Sequence, residues 1–461
     1  MTVALDSPLT LDSSTRTRDA VLARQEARES AARTYARTFR MVPVHAAGMT
    51  VTGADGRSYL DCLSGAGTLA LGHNHPVVVE AVTRVIERGA PWHALDIATP
   101  EKDEFTDALF AVLPPGLARS GRVHFCGPAG TDAVEAALKL ARTATGRGGV
   151  AAFTGAYHGM TAGALAASGG QAAKEPMVGA AAEAVRLPYP YPYRCPFGVG
   201  GEATAQLSAR YVERLLDDPN GGVVRPGAMV LEAVQGEGGV VPAPPEWLRD
   251  MRRITSERGI PLVVDEVQTG VGRTGSMWAL DAAGIEPDVL VLSKAIGGSL
   301  PLAVIVYAEH LDTWAPGAHA GTFRGTTLAM AAGAATLRHV RAERLPERAE
   351  ALGARLLTGL RGLQAQHPGI GEVRGRGLMV GVELVEPGAA PDELGARPAA
   401  PGLALAVRAQ CLRRGLIVEL GGRHDSVLRL LPPLVMTDAQ LADVLDRLGD
   451  ALAAAEREHR A

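Results

Sequence analysis

A lysine and an aspartate carry the first chemical signal in this chain. Only four of its 461 residues are lysine (Lys102, Lys139, Lys174 and Lys294), against 42 arginines. A guanidinium stays protonated, whereas a desolvated ammonium can release its proton and form a Schiff base, so the sparse lysines are candidates for amine chemistry. Lys294 follows the apolar run Val289 to Leu292 and precedes Gly297 and Gly298, which sets it at the end of a buried strand beside a loop that a ligand can approach closely. Asp265 ends a similar run, Leu262 to Val264. A carboxylate there needs a partner, because an unpaired buried charge is costly. With Lys294 as covalent anchor, Asp265 can pair with a protonated heteroaromatic nitrogen and keep it cationic. Gln268 then stands where it can hydrogen-bond a phenolate-like ring oxygen. The plainer alternatives are a solvated surface lysine and a carboxylate capping local amides.

A third element is FCGPAGTDAVEAALKLAR, Phe125 to Arg142. A strand runs into a Gly-Pro-Ala-Gly turn and then a helix, with Asp132 and Glu135 fitting a capping box and the amides near Gly130 and Thr131 free to face an anion. The pattern predicts a phosphate seat, with a plain capped helix as the alternative; it lacks the Lys-Ser/Thr ending of a nucleoside-triphosphate loop. His73 and His75 could both ligate zinc, but no third ligand stands at a telling spacing, so no metal site is expected. The GEGG run of Gly236 to Gly239 lacks the spacing of a dinucleotide-binding loop.

These residues need strands and helices to position them. Candidate strands are Val123 to Cys126, Val150 to Phe153, Ala228 to Glu232, Leu262 to Asp265, Val289 to Leu292 and Ala303 to Tyr307, mostly unbroken apolar runs separated by helical stretches. That alternation predicts a doubly wound α/β sheet, in which ligands bind at the carboxyl ends of the strands, where Asp265 and Lys294 fall. Ahead of it, residues 1 to about 15 read as loose, the stretch to about Arg40 as a helix, and Asp55-Gly56 as the turn of a hairpin. The tyrosine- and proline-rich Leu187 to Gly201 reads as an ordered loop over a pocket, and Glu386 to Gly402 as a flexible surface excursion. Alanine-rich helices and short strands from about 335 suggest a smaller second domain.

Composition excludes several functions. With 47% hydrophobic residues the chain can bury a large core, and a net charge of −4 with 21% charged residues offers no basic face for nucleic acid. No apolar run approaches the roughly 18 residues of a membrane span. The cysteines (Cys62, Cys126, Cys195 and Cys411) are scattered without CxxC spacing, which suits a reducing compartment, the cytoplasm by default. Asp19, Glu26 and Glu29 interrupt the arginine-rich start and argue against a transit peptide.

Taken in order, FCGPAGTDAVEAALKLAR, AYHGMTAGAL (Ala156 to Leu165), DEVQTGVGRTG, the lysine in LSKAIGG and HAGTFRGTTLAM (His319 to Met330) resemble the class III, or ω-amino, aminotransferases, which use pyridoxal 5'-phosphate. The resemblance runs from about residue 30 to 445. It implies fold type I: a large cofactor-binding domain at 76–334 with a mostly parallel doubly wound sheet, and a smaller α+β domain built from 1–75 and 335–461. By the same resemblance Lys294 forms the Schiff base and moves the proton, Asp265 holds the ring nitrogen's proton, and Tyr157 stacks on the ring with His158 beside it. Gly130 and Thr131 bind the phosphate. Thr322 reaches the phosphate of a partner subunit, which implies a homodimer. Arg429 grips the α-carboxylate of glutamate or 2-oxoglutarate, Glu237 pairs with Arg429 when a substrate lacks that group, and Glu232 supports the site.

Within the family, the GHNHP run, the loop ending in RCPFG and KAIGGSLPLAV resemble the branch acting on 2,4-diaminobutyrate, which implies transfer of its 4-amino group to 2-oxoglutarate, giving aspartate 4-semialdehyde and glutamate. Many ornithine-type relatives carry an aromatic residue where this chain has Ala66 or Gly67. The alternatives are another ω-amino substrate (ornithine or 4-aminobutyrate), an aminomutase or decarboxylase of the same fold, or a non-enzymatic cofactor-binding protein; the last predicts a decayed site.

Overall fold

A computed structural model of the chain describes residues 17–177 and 184–460; the stretch 1–15, expected to be loose, lies outside them. A seven-stranded sheet forms the centre, in the order Arg122–Phe125, Val304–Tyr307, Val289–Leu292, Leu262–Asp265, Ala228–Leu231, Val150–Phe153 and Ala184–Leu187. Five of these strands are buried along their whole length, because helices cover both faces and leave no face for polar alternation. The expected strands are present with ends shifted by a residue at most. Ala184–Leu187 had no sequence signal, since Arg186 interrupts its apolar pattern.

One strand runs against the rest. Val304–Tyr307 is antiparallel to both neighbours, with Val291 opposite Ile305 and Ile305 opposite His124. The link 293–303 is too short for a parallel crossover of a dozen or more residues, so the chain turns back. Lys294 lies in that link, in a 3₁₀ turn, Lys294–Gly297.

The helix Gly130–Thr145 buries Ala133, Val134, Ala137, Leu138 and Ala141 against the sheet, but its first turn departs from the expected capping box. The N-cap is Ala129, which has no side-chain acceptor, so only the return bond forms, from the Ala129 N–H to Asp132 at 3.1 Å. Glu135 instead caps the next helix, Ala162–Ala167, accepting from Thr161 Oγ1 at 2.7 Å and the N–H groups of Gly163 and Ala164 at 2.7 and 3.1 Å.

The two chain ends meet. Thr50–Gly53 and Ser58–Asp61 form the expected hairpin, turning at Gly56 (φ 75°), and Leu416–Ile417 adds to it in parallel with Leu416 opposite Leu60. The single helix expected up to Arg40 is two, Arg18–Arg28 and Tyr35–Thr38; the first buries no residue, so no packing carries it further. A second sheet, Ile370–Arg376, Met379–Leu384, Val427–Leu430 and Glu419–Gly421, packs with the helices Leu345–Gln366 and Pro401–Arg413. The division drawn at 334/335 falls inside the helix Thr327–Ala342, which packs on Pro76–Glu87 and Pro100–Phe110; the break in helix lies at Glu343 and Arg344 (φ 50°).

The excursion 386–402 is held rather than loose: Val385 bridges Ala399, and Asp392 accepts from the N–H groups of Leu394 and Ala396, both at 2.9 Å. The tyrosine–proline loop is ordered; its tyrosines pack against the second sheet, and its Phe197 lines a surface pocket. Tyr191 and Arg194 both bond Glu383, and Tyr189 donates to the Glu232 carbonyl at 2.9 Å.

Candidate active site

Strand ends bring the predicted residues together around one cavity of about 270 Å³, lined by Ala129, Gly130, Thr131, Tyr157, His158, Gly159, Met160, Glu232, Glu237, Asp265, Val267, Gln268 and Lys294. Asp265 ends its strand with one oxygen accepting from the Val267 N–H at 3.0 Å and the other bonded to His158 Nδ1 at 2.8 Å. His158 was expected beside Tyr157; it lies behind the carboxylate, fully buried. Burial pulls its imidazolium down, but the bond to Asp265 outweighs this and holds the ring above the ordinary histidine value.

Lys294 has a backbone φ of 52°, a sparsely populated conformation for a residue with a side chain and one that persists only where surrounding structure enforces it. Burial pushes its ammonium below the usual lysine range, against the opposing pull of Glu237 and Asp265. Such a group reaches the neutral, nucleophilic form more readily than a surface lysine. Tyr157, partly exposed, and Val267 supply apolar walls.

Two carboxylates shape the rim. Glu232 is buried and accepts from the N–H groups of Tyr157 and Gly236, both at 3.0 Å; burial pushes its carboxyl up to about 7. Glu237 meets Arg429 Nη1 at 2.6 Å, and the guanidinium is 1% exposed. Burial raises the Glu237 carboxyl, but Arg429 pulls it below the ordinary value. Gln268 donates to the Ala66 carbonyl at 3.1 Å and leaves its Oε1 buried without a partner.

Two predicted site residues do not line this cavity: Arg429, which reaches it through its bond to Glu237, and Thr322. Thr322 is exposed, its carbonyl held by His93 Nε2 at 2.9 Å. His73 and His75 do not converge: His73 Nε2 bonds Asp61 at 2.8 Å, while His75 faces the ring of His339. Among the described residues no group of three or more histidine, cysteine or acidic side chains is arranged to hold a metal ion.

Sequence reasoning missed several contributors. Val267 lines the cavity two residues beyond Asp265, a spacing that could have revealed it. Thr161 bonds Thr131 Oγ1 at 2.6 Å across the phosphate turn. Asp61 takes the Leu63 and Ser64 N–H groups at 2.8 and 2.9 Å and so sets the start of the turn containing Ala66, a local contact of the Asx-turn kind that the aspartate itself signals.

The family model for Aminotransferase class-III matches residues 30–452. The chain belongs to the class III aminotransferases. A diaminobutyrate–2-oxoglutarate aminotransferase from Rhizobium meliloti is 57% identical over 96% of this chain and 94% of its own length, and one from Haemophilus influenzae is 46% identical over 92% and 93%. Among solved structures, a pyridoxal-phosphate-bound amine transaminase from an uncultivated Pseudomonas species superposes with a TM-score of 0.83 at 29% identity, covering 93% of this chain and 98% of its own. Ornithine aminotransferase from Toxoplasma gondii gives 0.80 at 26%, covering 96% of each chain.

The cofactor of this aminotransferase is pyridoxal 5'-phosphate, and the cavity fits it. The first-turn amides of Gly130 and Thr131 have no partner within their helix and suit a phosphate. Asp265 suits a protonated ring nitrogen, whereas Gln268, expected to bond a phenolate-like oxygen, here gives its Nε2 to Ala66 and Glu237 and leaves only the acceptor Oε1 unpaired. At Gly159 a Cβ would fall 2.3 Å from Thr131 Oγ1, so only glycine leaves this turn its shape. Among the described residues no helix is long and apolar enough to cross a membrane.

Proposed function

We propose that this aminotransferase moves the 4-amino group of L-2,4-diaminobutyrate to 2-oxoglutarate, forming L-aspartate 4-semialdehyde and L-glutamate, and that it acts as a cytoplasmic homodimer. The observation that carries the reading is the ion pair between Glu237, in the cavity wall, and the buried Arg429. Two unlike substrates share one lysine, so one wall must be cationic for one substrate and neutral for the other. Glutamate and 2-oxoglutarate bring an α-carboxylate that takes Arg429 through a bidentate contact, displacing Glu237. Diaminobutyrate presents its distal amine without a carboxylate at that end, and Glu237 then stays on Arg429. The names of the Rhizobium and Haemophilus relatives support the substrate pair. The glycines and alanine at Gly65 to Gly67 support room for the α-amino and carboxylate end of the diamino acid.

Bound pyridoxal phosphate supplies an electron sink that lets the C–H bond beside the amine ionise. Lys294 Nζ would take that proton and deliver it to the carbon on the other side of the nitrogen, the 1,3 transfer that moves the amino group. Asp265, oriented by His158, keeps a proton on the ring nitrogen, and Gly130 and Thr131 hold the phosphate. Glu232 holds the backbone of Tyr157 and Gly236 in place through its two accepted bonds. The dimer is supported by Thr322, which is exposed and does not line the cavity of its own chain, and by a run of exposed apolar side chains beside it, Trp92, Leu95, Ile97 and Phe323. The four buried, unpaired cysteines support a reducing compartment.

A panel of amino donors with 2-oxoglutarate or pyruvate as acceptor tests the reading. The expected result is a kcat/KM for diaminobutyrate with 2-oxoglutarate at least tenfold above any other pair. A preference for ornithine or 4-aminobutyrate overturns the substrate assignment.

A further inference from the structure

The switch requires Glu237 to sit on Arg429 in one half-reaction and to leave it in the other, so whatever sets the resting position of the loop 236–240 sets the balance between the two. Glu232 anchors the start of that loop through the Gly236 N–H, and the Gly422 N–H bonds the Glu237 carbonyl at 2.8 Å. The far end is held by Arg374, on the strand Ile370–Arg376 of the second sheet. Its Nε donates to the carbonyls of Gly239 and Val240 at 3.0 and 3.1 Å, and Nη2 donates to Gly239 at 2.7 Å. The remaining donor, Nη1, reaches Glu372 at 2.5 Å and Glu383 at 2.7 Å, and Tyr191 of the tyrosine–proline loop lies under the guanidinium with its ring centroid 4.8 Å away.

The loop end is held in a strained conformation. Val240 is buried with φ 53°, a conformation that β-branched residues avoid, and Gly239 has φ 109°. Such backbone persists where its surroundings over-determine it; the Gly239 and Val240 N–H groups bond the Gly236 carbonyl at 3.0 and 3.2 Å, and three hydrogen bonds from one planar fork hold the Gly239 and Val240 carbonyls. The fork itself is fixed from behind: Glu383 also receives bonds from Tyr191 and Arg194. No part of Arg374 lines the cavity.

We propose that Arg374 is a positioning residue that clamps the 239–240 end of this loop, holds Glu237 against Arg429, and thereby sets the ratio of the diaminobutyrate and glutamate half-reactions. The inference rests on the switch proposed above. Lysine at 374 keeps the charge beside Glu372 and Glu383 but cannot present the fork to two carbonyls, so a clamp is not rescued by lysine whereas a mere charge balance is.

The test uses the holoenzyme and its R374K, R374Q and E237Q variants, with each arginine change also made in the E237Q background. Two quantities are read: the ratio of kcat/KM for the diaminobutyrate and glutamate half-reactions, and the affinity for glutarate, an unreactive dicarboxylate that competes with Glu237 for Arg429, by calorimetry. R374K and R374Q are each expected to lower the ratio at least fivefold and to tighten glutarate at least threefold. In the E237Q background neither change should move either quantity by more than twofold. Equal losses in both half-reactions, parent behaviour in R374K, or effects that persist without Glu237 overturn the clamp. An unchanged ratio in E237Q alone overturns the switch, and the clamp with it; a shifted ratio in E237Q with an unshifted one in R374K removes only the role of Arg374. R374K retains the buried charge, so the test stands even where R374Q folds poorly.

Discussion

Replacing Arg429 with alanine separates the two half-reactions by an amount that the geometry sets. The guanidinium is 1% exposed and 2.6 Å from Glu237, so a glutamate carboxylate that replaces Glu237 meets a desolvated, preorganised cation. Removing one member of such a hydrogen-bonded charge pair costs about 2–5 kcal/mol. At about 1.4 kcal/mol per factor of ten, the glutamate half-reaction should lose roughly 30-fold to several-thousand-fold in kcat/KM. Under the proposed switch the diaminobutyrate half-reaction makes no bond to Arg429. It suffers only from the unpaired Glu237, whose side chain is 32% exposed and can be hydrated, so its loss should stay within about tenfold. Stopped-flow spectra of the bound cofactor, followed separately with each amino donor, measure both rates. Equal losses would refute the switch and leave Arg429 as a structural cation.

Asp265→Asn should still bind cofactor yet lose at least about two orders of magnitude in rate, roughly 3 kcal/mol of barrier, because an amide cannot keep the ring nitrogen protonated; near-normal turnover would make the carboxylate structural. Borohydride treatment should leave the cofactor attached at Lys294, and peptide mapping that finds it on Lys102, Lys139 or Lys174 would reject the anchor. Glu232 binds its proton more tightly folded, at about 7, than unfolded, at about 4.3, so its contribution to stability is full below pH 4 and is lost as pH rises through 7. The stability of the parent relative to Glu232→Gln should therefore fall by up to about 3–4 kcal/mol between pH 4 and 8, and parallel denaturation profiles would contradict that. Dilution to monomer should release cofactor, and a fully active monomer in sedimentation would remove Thr322 from the site.

Lys294 and Asp265 were legible in the sequence because each ends an unbroken apolar run, and a parallel sheet puts such ends on one edge whatever the rest of the chain does. The turn into the helix Gly130–Thr145 was legible for a similar reason: glycines followed by a helix leave free amides by local geometry alone. Contacts between distant segments left no local trace. His158 stands next to Tyr157 in sequence, yet its bond is to Asp265, more than a hundred residues on, because strand order rather than chain order decides which ends adjoin. The union of the two chain ends through Leu416–Ile417 was decided in the same way, by a pairing made across the fold, whereas the direction of Val304–Tyr307 follows from the short link before it and the order in 386–402 from bonds within that segment. Arg374 is the clearest case: in sequence it is one of 42 arginines, and only the fold brings its planar fork against a strained loop that carries Glu237.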